Sequence, residues 1–216
     1  MKKKKVSYFI PTICVLFLFF LYTAALMFID VRPIGPQNSS VGFAVINELL
    51  HNLLGVNMLL YHITDWLSLV AVLISIGFAT LGFVQLVKRN SLRRVDSSIL
   101  ILGGFYLLVF SSYLFFEIYV VNYRPILING NLEASYPSST TMLVMCIMPT
   151  AMMQFRRLIQ NLAVRKCVNI LCGIFTVFMV IGRILSGVHW FTDILGGMIL
   201  SAALVMLYHA VNLYIE

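Results

Sequence analysis

The chain has 216 residues, of which 61% are hydrophobic and only 11% charged, and it carries a formal charge of +7. That composition excludes a water-soluble domain. Cys14, Cys146, Cys167 and Cys172 sit within or beside apolar stretches and lack metal-type spacing, which speaks against a disulfide framework.

A bilayer core needs about 20 apolar residues per helical crossing, and six runs qualify as candidates. The first, Val6–Phe28, follows the basic run Lys2–Lys5. A cleaved signal peptide is the rival reading, but the run is long for a signal core and no small-x-small site precedes Asp30, which favours a retained anchor. The other runs are Ile63–Val87, Ile99–Val120, Thr141–Phe155, Val168–Ile181 and Trp190–Leu213. The fourth and fifth are short, but each borders polar residues that can continue a helix. Backbone groups in lipid must be satisfied within the segment, so the expected fold class is all-α, a single membrane domain over residues 1–216. The ten-residue alternation of a barrel is absent.

Between the first two runs, Arg32-Pro33 and Gly35-Pro36 form a turn-rich entry. Ser39 or Ser40 is the expected cap of an amphipathic helix whose apolar positions include Val41, Ala44, Ile46, Leu49, Leu50, Leu53 and Leu54, suited to lie along the membrane interface as a lid or a packed cover. His51 and His62 read as interfacial side chains. His209 falls at the far end of the last run.

The basic residues set the orientation. Lys2–Lys5, then Lys88, Arg89, Arg93 and Arg94, then Arg156, Arg157, Arg165 and Lys166 fall on one side of a six-span arrangement. The positive-inside rule makes that side cytoplasmic and places both termini there. The charge therefore expresses topology, and no nucleic-acid partner is expected. Arg32, Arg124 and Arg183 are left on the outer side, where topology does not require them.

Two outer segments gather polar residues. The first holds Asn122-Tyr123-Arg124-Pro125 and Tyr136-Pro137-Ser138-Ser139-Thr140-Thr141, the latter reading as a helix start that either caps itself or attracts an anion. The second is Arg183-Ile-Leu-Ser-Gly-Val-His189-Trp-Phe-Thr-Asp193. Ionisable groups beside a bilayer are functional hypotheses by default. If the chain is helical at His189, the i,i+4 spacing puts His189 and Asp193 on one face, where a carboxylate can fix the imidazole tautomer and free the far nitrogen for attack. The alternative is a surface histidine beside a helix-capping aspartate.

These segments resemble the type-2 phosphatidic-acid phosphatase superfamily, whose motifs are lysine, six residues, Arg-Pro; Pro-Ser-Gly-His; and Ser-Arg, five residues, His, three residues, Asp. Arg124-Pro125, Pro137-Ser138, and Arg183, His189 and Asp193 match in order and spacing, over about residues 60–215. The chain departs at Glu117 for the lysine, Ser139 for the glycine, Thr140 for the second-motif histidine and Gly182 for the serine. The resemblance implies His189 as nucleophile, Asp193 as its orienter, Arg124 and Arg183 as a phosphate clamp, and Ser138 and Ser139 in the anion loop. It implies a phosphorylated lipid as substrate, a cell-membrane location with the site on the extracytoplasmic side, and no cofactor or metal. The family's proton donor is missing. A threonine hydroxyl donates a proton poorly, and general acid catalysis is worth roughly 10²–10⁴-fold, so diphosphates, whose leaving group is itself a phosphate, are the favoured substrates. Glu117 either pairs with Arg124 or Arg183, or is protonated and acts as a substitute acid. Three functions follow: a lipid phosphatase or phosphotransferase, a silent relative that binds a phosphorylated lipid or a protein, and a small transporter. Transport is disfavoured because the ionisable residues cluster at one membrane edge and no span is broken at mid-depth.

Overall fold

The computed structural model describes residues 7–215, so the basic run Lys2–Lys5 lies outside the described residues. Among the described residues there are seven α-helices: α1 Ile10–Phe28, α2 Ala44–Leu54, α3 Met58–Arg89, α4 Ser97–Ile118, α5 Ser139–Leu158, α6 Leu162–Ser186 and α7 Phe191–Ile215. The all-helical expectation holds. Five of these segments are long and apolar enough to cross a membrane: α1 with its leading turn, α3, α4, α6 and α7. Their outward residues, such as Phe17, Trp66, Leu73, Phe83 and Ile174, are apolar and exposed, as a lipid-facing surface requires.

The fourth expected run became α5, which is not among those five. Its position explains why. α5 packs against α3, α4, α6 and α7 and buries Thr140, Thr141, Thr150 and Gln154, so it tolerates a polar face that a lipid-exposed helix would not. Gln154 donates to Tyr208 Oη at 2.6 Å and to the Ser98 carbonyl at 3.0 Å, which satisfies its amide inside the bundle.

Successive long helices alternate in direction. At one end Arg89 pairs with Asp96 across the α3–α4 turn, and Arg165 reaches the Arg156 carbonyl across the α5–α6 turn. At the other end the Asn57 amide donates to the Ser186 carbonyl, joining the start of α3 to the end of α6. That second end gathers the C-termini of α1, α4 and α6 and the N-termini of α3, α5 and α7. α3 has 32 residues, about 48 Å at 1.5 Å per residue, well over a hydrocarbon core of about 30 Å. Its first turns therefore carry Tyr61 and Asp65 to the level of the motif loops.

α7 seats those loops through small residues. A Cβ at Gly196 would fall 2.3 Å from Tyr136 Cε2, and one at Gly197 would fall 3.1 Å from the Ser138 carbonyl. The loop before α5 can lie flat on α7 only because neither position has a side chain. Tyr136 is then locked by a stack on Phe19 and by the hydroxyl of Thr23 at 2.6 Å, both from α1.

α2 forms, but neither Ser39 nor Ser40 caps it. Phe43 is its N-cap, in the left-handed region at φ 47°, and the Asp30 carboxylate accepts from the Val45 amide at 2.8 Å. The chain folds back on itself through paired Arg32 and Val41, which puts the distant Asp30 where a local serine was expected. α2 is anchored as a cover: buried Asn47 donates to Thr192 Oγ1 and to the Gly42 carbonyl, each at 2.8 Å. Ile46, Leu49 and Leu53 point outward, as on an interfacial helix.

Candidate active site

α6 ends at Ser186 because Gly187 turns left-handed at φ 65°. Only glycine fits, since a Cβ there would meet the Gly55 carbonyl oxygen at 1.9 Å. The helix does not resume until Phe191, so His189 stands in the connecting loop while Asp193 occupies the first turn of α7. The expected shared helical face is therefore absent, because a left-handed glycine two residues earlier breaks the register. Asp193 Oδ2 instead accepts from the Trp190 amide at 3.2 Å, in the manner of a helix cap.

A second loop brings the two earlier motif segments together. Arg124 N donates to the Glu133 carbonyl at 3.0 Å and Ser135 N to the Asn122 carbonyl at 2.9 Å, flanking the pair Tyr123 and Ala134. Asn129 and Gly130, both at positive φ, close the turn, as in Asn-Gly hairpins. The resulting ribbon is tied to the third motif by Trp190 Nε1, which donates to the Tyr123 carbonyl at 2.8 Å.

Within this frame His189 is buried. Its Nδ1 lies 3.0 Å from Ser135 Oγ and 3.1 Å from the Ser135 carbonyl, while Nε2 is buried without a hydrogen-bond partner. Ser135 Oγ donates to Asp193 Oδ2 at 2.5 Å, and Asn122 Nδ2 donates to Asp193 Oδ1 at 2.9 Å. Burial, followed by the nearby charges of Arg124 and Arg183, holds the imidazole well below its ordinary value of 6.5, against the opposing Ser135 carbonyl. His189 is thus neutral at physiological pH. Because the Ser135 carbonyl can only accept, Nδ1 carries the hydrogen and Nε2 presents a lone pair.

Both arginines converge on the same region. The Arg183 guanidinium lies 4.9 Å above the Tyr61 ring and that of Arg124 5.8 Å above it. Arg183 Nη2 donates to Asp65 Oδ1 at 2.9 Å and to Thr140 Oγ1, leaving Nε and Nη1 buried without partners. Arg124 Nε lies 3.2 Å from Glu133 Oε2 without the alignment of a hydrogen bond, and its Nη1 is likewise unpartnered. Buried donors left unsatisfied are costly. Such donors on two arginines whose charges reach an unpartnered imidazole nitrogen make a site suited to the oxygens of a tetrahedral anion.

The start of α5 adds to this. No side chain caps the helix, so the amides of its first turn are open to an anion. Ser139 lines a small cleft with His189, Ser135 and Glu117. Ser138 is placed differently from the expectation. Its amide donates to the Asp193 carbonyl at 3.0 Å and its hydroxyl accepts from Thr141 at 3.1 Å, so it ties α5 to α7 and its amide is not available to a ligand. The carboxylates that pair with the arginines are Glu133 and Asp65, and Glu117 lies one turn from Tyr113 in the cleft that holds Ser139 and His189.

Sequence reasoning missed Ser135, Asn122, Tyr61 and Asp65. Asn122 and Ser135 stand two residues before Arg124 and Pro137 respectively, so proximity to the motifs was their one signal. Tyr61 and Asp65 had none, since they arrive from α3 through tertiary packing.

Beside the polar end lies a cavity of about 480 Å³ between α3, α4 and α5, with Asp65, Ser139 and Thr140 at its mouth and Val72, Val109 and Ile147 deeper. A second, of about 550 Å³, shares Ser75, Tyr106 and Phe110 with it and continues along the α3–α4 seam to Leu86.

The sequence model of the PAP2 superfamily matches residues 102–215, just over half of the chain. Among solved structures, the chain is similar to the first transmembrane PAP2-type phosphatidylglycerolphosphate phosphatase from Bacillus subtilis, with a TM-score of 0.63 at 19% identity, over 95% of this chain and 97% of that one. No curated protein matches the chain.

Proposed function

The chain belongs to the PAP2 superfamily, and from that premise we propose that it is an integral-membrane lipid phosphatase that works through a phosphohistidine at His189. The observation that carries this reading is the buried, unpartnered Nε2 of His189 within reach of the charges of Arg124 and Arg183, whose guanidiniums share the Tyr61 ring and keep donors free of hydrogen bonds. The arginines hold the phosphate oxygens and stabilise the charge that builds on them as phosphorus becomes five-coordinate. Nε2 forms a bond to phosphorus while the bond to the leaving oxygen breaks. Water then attacks the phosphohistidine, releases inorganic phosphate and restores the neutral imidazole.

The paired apolar cavities support a lipid, because one borders Asp65 and Thr140, the two residues that Arg183 bonds, and together they run along the membrane-spanning helices. Thr140 supports a diphosphate: it stands beside Arg183 where a proton donor is expected, and its hydroxyl is too weak an acid to protonate an alkoxide at neutral pH. A phosphate leaves without that help, whereas an alkoxide does not. The same observation favours, as a second reading, a silent relative that retains a phosphorylated lipid without cleaving it.

The orientation follows from charge. Lys88, Arg89, Arg93, Arg94, Arg156, Arg157, Arg165 and Lys166 lie at the end of the bundle opposite His189. Counting α5 as a sixth span, this puts both termini in the cytoplasm, and the site on the extracytoplasmic face of a single domain in the cell membrane. The test is phosphate release from lipid mono- and diphosphates by the purified protein. Binding of these lipids with no release would select the silent reading.

A further inference from the structure

Resting on the reading of His189 as nucleophile, we infer that Ser135 is a positioning residue that carries the effect of Asp193 to His189, so that the carboxylate acts on the imidazole through a serine hydroxyl and not by direct contact. Among the described residues no hydrogen bond joins His189 to Asp193; the hydroxyl of Ser135 lies between them, 2.5 Å from Oδ2 and 3.0 Å from Nδ1.

A hydroxyl has one hydrogen. The short contact to a carboxylate oxygen is where it goes, since that oxygen can only accept when ionised. Toward His189 the same oxygen must then accept, which requires the hydrogen on Nδ1. The Ser135 carbonyl, 3.1 Å from Nδ1, demands the same tautomer independently. Nε2 is left with its lone pair, buried and unpartnered.

The serine is itself held. Its amide donates to the Asn122 carbonyl at 2.9 Å, while the Asn122 side chain donates to the other oxygen of Asp193. Asn122, Ser135 and Asp193 thus close a ring of three hydrogen bonds, and all three residues are buried. When Nε2 takes the phosphoryl group, positive charge appears on the imidazole. Asp193 answers it through a hydroxyl that its own charge polarises, and the chain of bonds strengthens as a unit.

The experiment is a double-mutant cycle on Ser135→Ala and Asp193→Asn, read as kcat and KM, with nitrogen-15 NMR of the imidazoles in the same unliganded proteins. The relay predicts that each single variant lowers kcat by about ten- to a hundredfold with KM little changed, and that the double variant is no worse than the weaker single. It also predicts that both singles move the His189 nitrogen signals in the same direction and that the double moves them no further. Wild-type kcat and spectra for Ser135→Ala, or losses that multiply in the double variant, would overturn it. If the unaltered protein cleaves no lipid phosphate, the phosphatase reading fails on its own, and the spectra alone decide the relay. His189 signals displaced equally by the two variants support it, and signals that ignore Ser135→Ala refute it.

Discussion

Arg183 is held by Asp65, a residue of α3 that lies outside the region matched by the family model: Nη2 donates to Oδ1 at 2.9 Å, and the two side chains are 2% and 55% exposed. The buried guanidinium thus takes its orientation from a carboxylate at the edge of the lipid-side cavity. Because that carboxylate is half in solvent, it anchors direction more than it adds stability.

Asp65→Ala should therefore act on catalysis more than on folding. Arg183 would keep Thr140 and the Tyr61 ring but lose the bond that fixes its fork, and a hydrogen bond to a charged group is worth about 1.5 kcal/mol or more, roughly tenfold in rate. The measurement is kcat/KM on the preferred lipid phosphate beside a thermal melt in detergent. A fall of about tenfold with an unchanged melt is expected, and unchanged kinetics would remove Asp65 from the site.

The lowered proton affinity of His189 gives a pH dependence with a definite sign. The free nucleophile stays neutral as pH falls through 6.5, so the His189 signals in nitrogen-15 NMR should titrate only below the point at which an ordinary imidazole does. Stability runs with it. Above about pH 6.5 the imidazole is neutral in folded and unfolded chains alike. Below that the unfolded chain takes up the proton first, so stability declines with falling pH until the folded-state value is reached. A His189 imidazole that titrates at or above 6.5 would contradict the environment described for it.

Thr140 and Glu117 separate the leaving-group argument from its rival. Thr140→His should raise monophosphate hydrolysis more than diphosphate hydrolysis, by up to about a hundredfold if the new imidazole reaches the leaving oxygen. Glu117→Gln should be close to neutral, since the carboxylates that pair with Arg124 and Arg183 are Glu133 and Asp65. Initial rates on matched mono- and diphosphate lipids decide it. A Glu117→Gln variant that is dead would make Glu117 the acid.

Much of the fold was legible because lipid leaves the backbone few options. All six apolar runs became helices, yet their ends moved. Val168–Ile181 grew to Leu162–Ser186, since Asn161 Oδ1 caps the start by accepting from Ala163 and Val164, and the charge of Arg183 is paired inside the bundle with Asp65 of α3. Arg124, Arg183, His189 and Asp193 were singled out by the motif spacing; the fold joins His189 to Asp193 through Ser135 and sets both arginines over the Tyr61 ring. Ser138 was half legible, being beside the pocket but occupied with α7. Ser135, Asn122, Tyr61 and Asp65 were not, because their roles arise only when the ribbon closes and α3 packs. The helical face proposed for His189 and Asp193 failed on one glycine, Gly187, whose left-handed turn a period-based reading does not contain.

Topology has its own test. In a variant whose native cysteines are replaced, a cysteine at exposed Asn131 should react with an impermeant thiol reagent in intact cells, and one at exposed Arg93 only after the cells are opened. The reverse pattern would invert the orientation drawn from the basic clusters.

The central claim is that His189 is a nucleophile toward lipid phosphate with arginines supplying the charge. Its most direct measurement is phosphate release from a panel of lipid mono- and diphosphates by purified wild-type and His189→Ala protein, in chelator, with and without vanadate. The account predicts release by the wild type that survives chelator, is blocked by vanadate and favours diphosphates, and that falls to background in His189→Ala. Equal release by His189→Ala and wild type would contradict it.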